Sequence, residues 1–381
     1  MTDEASALQK LVGFGWRTAR RIRRRLGSSG HSTKPGDSKK KLYSLTDDSV
    51  LSTFAPGIEQ LAERFQQDDR PIVVGPWVSE LGFEVLYWIP FVKWFVERYS
   101  IAPDRLIFVS RGGMQNWYNR PAWNGASTYC DIFSVVSPDE YRQMNTARWQ
   151  RSGNQKQPDV DPAETRLIRM IASKTGIESH HRLHPSVMYN FFVVFWTHGK
   201  RLGLGAELVL KHAIYEPLFE LPKWSGPALP DNFVAVKFYS RTSLPHSDET
   251  AGQIERLILQ IAETRPVISL DTTFRADDHS AFALPVHPNI TSARDWMTPE
   301  NNLDLQTRLI ADSDFFVGTY GGTSYLPVFA NTPSVGLYSA NDLNLAHQLL
   351  AMRACRSLGQ DVTLMRLRDC CHLFDIVAGK R

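Results

Sequence analysis

The sequence predicts an α/β protein built from two parallel-sheet halves facing a cleft, and three observations predict it. Short aliphatic runs, Pro71–Gly75 (PIVVG) and Arg105–Ser110 (RLIFVS), each run into a turn and then toward a helical pattern. That alternation of buried strand, turn and helix is what a parallel sheet covered by helices requires. The alternation restarts beyond Leu221–Asp231, a proline-rich stretch suited to a domain boundary. Finally, 381 residues exceed the usual size of one compact domain.

In order, Ser49–Gln66 reads as a helix and Pro71–Gly75 as a buried strand closed by a Gly75-Pro76 turn. Ser79–Tyr99 is strongly apolar and helical, with a bend expected at Pro90. Arg105–Ser110 is the second strand, followed by the turn Arg111-Gly112-Gly113, and Asp131–Val136 is expected as a third strand. Gln150–Glu220 reads as mostly helical. In the second half Phe233–Tyr239, Pro266–Leu270 and Asn289–Thr291 read as strands, Thr250–Glu263 and Asn302–Ala311 as helices. The divisions expected are an arm over residues 1–41, α/β domains over 42–228 and 229–345, and a helical segment over 346–381.

Composition is that of a soluble globular chain, 43% hydrophobic and 22% charged. No apolar run approaches the roughly 20 residues that cross a bilayer, and no apolar stretch follows the N-terminal arginines as a signal peptide would need. Cys130, Cys355, Cys370 and Cys371 lack metal-ligand spacing, so a reduced, cytoplasmic setting is expected. Eleven Lys/Arg against three acids give residues 1–41 a net of +8 within a total of +3, so the remainder carries −5. Basic charge confined to one arm argues against a nucleic-acid groove in the folded body. Within residues 8–26, Leu8, Leu11, Val12, Ala19, Ile22 and Leu26 recur at helical spacing opposite six arginines. Such a helix suits the surface of an anionic membrane, and a solvated basic tail is the plainer alternative. The body is then expected at the inner face of a membrane, held there peripherally.

The stretch Asp314–Ser339 (DFFVGTYGGTSYLPVFANTPSVGLYS) is the most informative. It reads as strand, glycine turn, apolar helix and strand, and a helix start in such a turn is an anion site. Gly321 and Gly322 allow close backbone approach to a phosphate, and Thr319, Thr323 and Ser324, with Tyr320 between, bring hydroxyls. Across the expected cleft, Lys237 closes a strand with Tyr239 and Arg241 at its mouth. Two cations facing a helix start are what a departing diphosphate needs. In the first half, Ser79 can cap the helix that carries Glu80 and, one turn later, Glu84. Trp77, Phe83, Tyr87 and Trp88 would desolvate a carboxylate there and raise its pKa toward the range of a general base. Complementing the helix dipole is the ordinary role for Glu80. Arg111, Gly112 and Gly113 should face the same cleft, with Trp117 and Tyr118 as a flat surface for a sugar.

Several motifs are weaker than they look. Asp159-Val160-Asp161 resembles a metal-binding pair, but Asp161-Pro162-Ala163-Glu164 reads better as a helix start. His180, His181 and His184 lack matching ligands, so no metal is expected. The glycine turn has no P-loop lysine, and Gly75–Gly82 does not match the dinucleotide fingerprint.

The Asp314–Ser339 unit, preceded by Asn302-Leu303-Asp304-Leu305-Gln306, resembles the C-terminal domain of GT-B glycosyltransferases, closest to the heptosyltransferase and fucosyltransferase-like group of bacterial polysaccharide-biosynthesis enzymes. GPWVSELGFEVLYW (Gly75–Trp88) is similar to a segment of such transferases. The resemblance implies two Rossmann-like domains facing a cleft, and sugar transfer from a nucleotide-sugar co-substrate to a glycan or lipid-linked acceptor. Lys237, Arg241 and the glycine turn are expected to serve without a metal, and inversion follows if a protein base faces the acceptor. It implies Glu80 or Glu84 as base and Lys237 and Arg241 as donor-binding cations, with no other cofactor. No acid stands at the spacing of the ribose-binding glutamate of many GT-B enzymes, which leaves the nucleotide open. A nucleotide-sugar-binding module without turnover, or an epimerase acting without an acceptor, are the other classes this shape allows.

Overall fold

A computed structural model describes residues 47–377 apart from 124, 154, 193–201, 219–220, 222–223, 225, 274–279 and 340–344. The basic arm therefore lies outside the described residues. Two parallel sheets organise the chain. The first has the order β3-β2-β1-β4, from Thr128–Asp131, Leu106–Ser110, Ile72–Val74 and His181–Leu183. The second has the order β12-β11-β10-β5-β7-β9, from Thr363–Arg366, Ser334–Tyr338, Phe315–Thr319, Val234–Lys237, Val267–Ser269 and Ile290–Ser292. A two-stranded antiparallel pair, β6 (Tyr239–Ser240) with β8 (Ser280–Ala281), stands at the mouth of β5. Strands β1, β2 and β7 are buried at every residue, as their apolar runs demand.

Four expectations about elements need correction. The third strand is Thr128–Asp131 rather than Asp131–Val136, because the Asp131 carboxylate accepts from the Phe133 amide (2.9 Å) and turns the chain into a 3-10 turn. The middle of the chain contains β4, whose polar His181-Arg182 leaves little apolar signal. Residues 346–381 are not wholly helical, since Thr363–Arg366 adds the outer strand of the second sheet. The apolar segment after β1 is an α-turn Leu81–Phe83, a π-helical stretch Glu84–Trp88 and an α-helix Ile89–Arg98. Pro90 cannot donate to the Leu86 carbonyl, which accepts instead from the Tyr215 hydroxyl at 2.8 Å.

The halves are joined through a common apolar core, which runs from Phe91 and Phe108 in the first to Ile268 and Phe316 in the second. At one point backbone meets backbone. A Cβ on Gly322 would lie 2.6 Å from the Gly82 nitrogen, and one on Gly82 would lie 2.9 Å from the Gly322 Cα. At another, the Gly112 carbonyl accepts from the amides of Leu303 and Asp304 (both 2.9 Å), capping the helix Asn302–Asp312 from the opposite sheet. Helix Leu345–Ser357 packs against Leu202–Lys211 of the first half, with Arg353 paired to Glu207.

Gly322→Ala is therefore expected to lower stability by about 1–3 kcal/mol through forced separation of the two backbones. Gly252→Ala, on an exposed helical site with nothing within 4 Å, should raise it by about 0.5–1 kcal/mol. Urea denaturation of both variants checks the pair; a neutral Gly322→Ala would mean that the contact is slack.

Candidate active site

Both sheets present their C-terminal strand ends to one cavity of about 590 Å³. From the first half come Glu80, beyond β1, and Arg111, directly after β2. From the second come Lys237, the last residue of β5, Tyr239, Arg241, and the Gly322-Thr323 edge beyond β10. Asp271, beyond β7, and Arg294, beyond β9, also line it. Sequence reasoning missed those two, although the strand-end position that marked Lys237 applies to both. Four cations face two carboxylates, so the cavity favours an anion.

Glu80 occupies the N-cap of the first helical turn with extended backbone (φ −68°, ψ 143°), and its side chain makes no capping bond. It points instead at Arg241, 3.5 Å away across the cleft. The loop that carries it is held on every side. Gln157 accepts from the Val78 amide and donates to the Pro76 carbonyl (both 2.9 Å). Arg148 donates to the Val78 carbonyl at 3.2 Å, and Arg111 to the Ser79 carbonyl at 2.7 Å. Gln157 is anchored in turn by Glu164 (3.0 Å), which also holds His184 at 2.8 Å. Burial and the Arg182 charge hold His184 down at about 4.

Glu84 is placed differently from the expectation. It is fully buried, stands outside the cavity wall, and accepts from Ser110 and from the Tyr118 hydroxyl (2.8 Å). Because Glu80 lies outside the helix, helical spacing does not put the two carboxylates on one face. Burial pushes the Glu84 carboxyl up, opposed first by the charge of Arg111, 3.5 Å away. Glu84 thus holds Arg111 rather than facing a ligand. Ser79 does not cap the helix; its hydroxyl lies 3.4 Å from that of Tyr189.

The other acceptor-side residues are drawn into the join between the halves. Gly112 and Gly113 have φ of +69° and +80°, and a Cβ on either would strike Asn302 or Asp304. Trp117 is buried, donates to the Thr307 hydroxyl at 3.0 Å and packs on Phe329, so it offers no flat surface to a sugar. In the glycine turn, the Thr319 hydroxyl joins β10 to the Tyr239 backbone (2.9 Å to both amide and carbonyl). The Ser324 hydroxyl closes the turn on the Gly321 amide and carbonyl. The chain then passes through a 3-10 turn, Gly322–Tyr325, into a helix of only four residues, Leu326–Phe329. A dipole of that length is small, so Lys237 and Arg241, rather than a helix start, carry the positive charge. Tyr320 and Gly321 line a separate, smaller cavity of about 230 Å³. Lys237 donates to Gln306, which fixes it at the end of its strand.

The histidines are used structurally: His181 pairs with Asp68 (2.8 Å) and His184 with Glu164. Asp161 forms a capping box with Glu164 at a helix begun by Pro162. Among the described residues no three His, Cys, Asp or Glu side chains converge as a metal site.

No family model matches this chain, and no curated protein matches it. Among solved structures it is similar to the E. coli heptosyltransferase WaaC with ADP, at 14% identity over 82% of this chain and 100% of that one, with a TM-score of 0.38. It is also similar to the family 9 glycosyl transferase from Veillonella parvula, at 12% identity over 82% and 90%, with a TM-score of 0.40. A third is the UDP-GlcNAc 2-epimerase from Methanocaldococcus jannaschii, at 10% identity over 80% and 90%, with a TM-score of 0.30. Likeness of that degree assigns no activity, and a functional reading has to rest on this chain's own residues.

Asp131, at the end of β3 and outside the cavity wall, braces the Gly113 turn and offers a test of how burial acts on a carboxylate beside the site. It accepts from the Gly113 amide (2.8 Å) and the Phe133 amide, yet burial raises its carboxyl to about 6. A raised carboxyl binds its proton more tightly in the folded state. Its contribution is thus full below about 4 and is lost as pH rises through about 6. Relative to wild type, Asp131→Asn should gain on the order of 1–3 kcal/mol between pH 4 and pH 7 in urea denaturation. A pH-independent difference would show that Asp131 titrates normally.

Proposed function

We propose that this protein is a glycosyltransferase that moves a sugar from a nucleotide-sugar to a hydroxyl of a glycan or lipid-linked acceptor. The observation that carries the reading is the pairing, in one cavity, of Glu80 from one sheet with Lys237 and Arg241 from the other. Glu80 takes the proton of the acceptor hydroxyl as its oxygen bonds to the sugar's anomeric carbon. The bond from that carbon to the diphosphate breaks, and the negative charge left on the diphosphate oxygen falls to Lys237, Arg241 and the Thr323 hydroxyl. With a protein base on the acceptor side, a single displacement inverts the anomeric configuration, and the cations serve in place of a metal.

Arg111, fixed by Glu84 and the Ser79 carbonyl, adds positive charge to the same wall. Asp271 stands where it could accept from a sugar or ribose hydroxyl, with its own carboxylate oriented by the Ser269 hydroxyl at 2.7 Å. No described helix is long and apolar enough to cross a membrane. The arginine-rich arm over residues 8–26 would hold the enzyme against an anionic membrane surface, on the cytoplasmic side where lipid-linked acceptors are met.

Two measurements test this. A nucleoside diphosphate at 100 times its Kd should raise unfolding stability by about 2.7 kcal/mol. Glu80→Gln should retain that stabilisation while its transfer rate falls about 10²–10⁴-fold. Unchanged turnover in Glu80→Gln removes the base assignment. An isomerised donor, or no product from any nucleotide-sugar, would move the protein to the epimerase or binding class.

A further inference from the structure

The smaller cavity meets the larger one at Glu80. Glu80, Gly82, Arg241 and Gly322 border both, so the Glu80–Arg241 pair and the Gly82–Gly322 contact form a partition between two chambers. At about 230 Å³ the smaller chamber falls below the roughly 300–1,000 Å³ of whole small-molecule sites, whereas the larger lies within that range. Its own walls bring Lys156, Phe83, Thr242, Ser243, Tyr320 and His347.

Lys156 lies in the loop between the helices Pro138–Ser152 and Pro162–Thr175, and nothing in its sequence context marks it. In the fold its ammonium stands 4.3 Å from the centre of the Phe83 ring. Burial lowers its pKa and the charge of Glu80 opposes that shift. His347, held by the Tyr87 hydroxyl at 2.5 Å, is kept down at about 3 by burial and by the charges of Lys156 and Arg241. Two cations therefore act on this chamber against the single carboxylate of Glu80. A partly desolvated cation binds an oxyanion far more strongly than a solvated one.

We propose that the smaller chamber is the acceptor subsite and takes a saccharide bearing an oxyanion, held by Lys156, with the reactive hydroxyl turned to Glu80. This rests on the reading of Glu80 as the base. In a single displacement the nucleophile enters opposite the leaving group, so acceptor and diphosphate occupy opposite sides of the transferred sugar. Two chambers that share Glu80 as a wall supply that arrangement. The oxyanion is a carboxylate or a phosphate, and the two are separated by experiment.

Full-length protein saturated with ADP or UDP, whichever stabilises it, is titrated calorimetrically with methyl glucuronide, methyl glucoside 6-phosphate and methyl glucoside. At least one anionic glycoside should bind at least tenfold tighter than the neutral one, and which one does so names the anion. Lys156→Ala should abolish that preference and Lys156→Arg should keep part of it, with nucleotide affinity unchanged within twofold in both. The proposal is overturned if Lys156→Ala keeps the preference, if anionic glycoside and nucleotide exclude each other, or if no glycoside binds. A protein that answers to neither nucleotide counts against the transferase reading instead. The same titration without nucleotide then still decides whether Lys156 selects an anion.

Discussion

Two glycines from different halves, Gly82 in the turn after β1 and Gly322 in the turn after β10, approach until neither could carry a side chain without a shift, and that contact sets how closely the two walls of the cavity meet. Gly82 is two residues beyond Glu80, and Gly322 begins the turn after β10, so their approach sets how far the carboxylate stands from the second sheet. The Gly112 carbonyl fixes the other end of the join on the first turn of Asn302–Asp312. Between these two points the halves enclose a cavity instead of closing on each other. The apolar core beneath them, where Trp117 meets Phe329, makes this a stable join and not a passing encounter.

Burying charge behind such a site is costly unless each group finds partners. Arg111 and Glu84, both nearly inaccessible, answer one another at 3.5 Å through Oε2 of Glu84, while Ser110 and Tyr118 donate to its Oε1 and the Ser79 carbonyl accepts from Arg111. Such a pair adds little net stability, since desolvation offsets most of the attraction. Its effect is geometric. The arginine that closes β2 fixes the backbone immediately before Glu80, while Gln157 and Arg148 fix the residues before that. A carboxylate meant to meet a substrate hydroxyl gains from a support that does not move.

Much of this was legible in the residues, and what was not has physical reasons. PIVVG, RLIFVS and VAVKFY are aliphatic enough to declare buried parallel strands, and strand ends then locate Glu80, Arg111, Lys237 and Arg241 without knowledge of tertiary contacts. His181–Leu183 and Thr363–Arg366 escaped because outer strands can be polar. Glu84 was misread because a helical count from Glu80 presumes that Glu80 is helical, whereas it is the extended residue before the first turn. Trp117, Gly112 and Gly113 were read as facing a ligand when they face the other half, a distinction only the docked halves make. Lys156 shows no local signal at all, since its significance lies in the ring of Phe83 and in the carboxylate of Glu80, more than seventy positions earlier in the chain.

The Glu80–Arg241 pair shows how the two halves depend on each other electrostatically. Arg111, Lys237, Arg241 and Arg294 repel one another around a single cavity, and Glu80 and Asp271 offset part of that repulsion. At 3.5 Å, with both side chains partly exposed, the ion pair contributes on the order of 0–1 kcal/mol, too little to lock the groups together. On the proposed reading, an incoming diphosphate, which carries more charge than one carboxylate, would draw Arg241 toward itself and so release Glu80 toward an acceptor hydroxyl. Under that proposal Glu80 would be least encumbered only once the leaving group is in place, an order of events that would favour transfer over idle contact with either substrate alone.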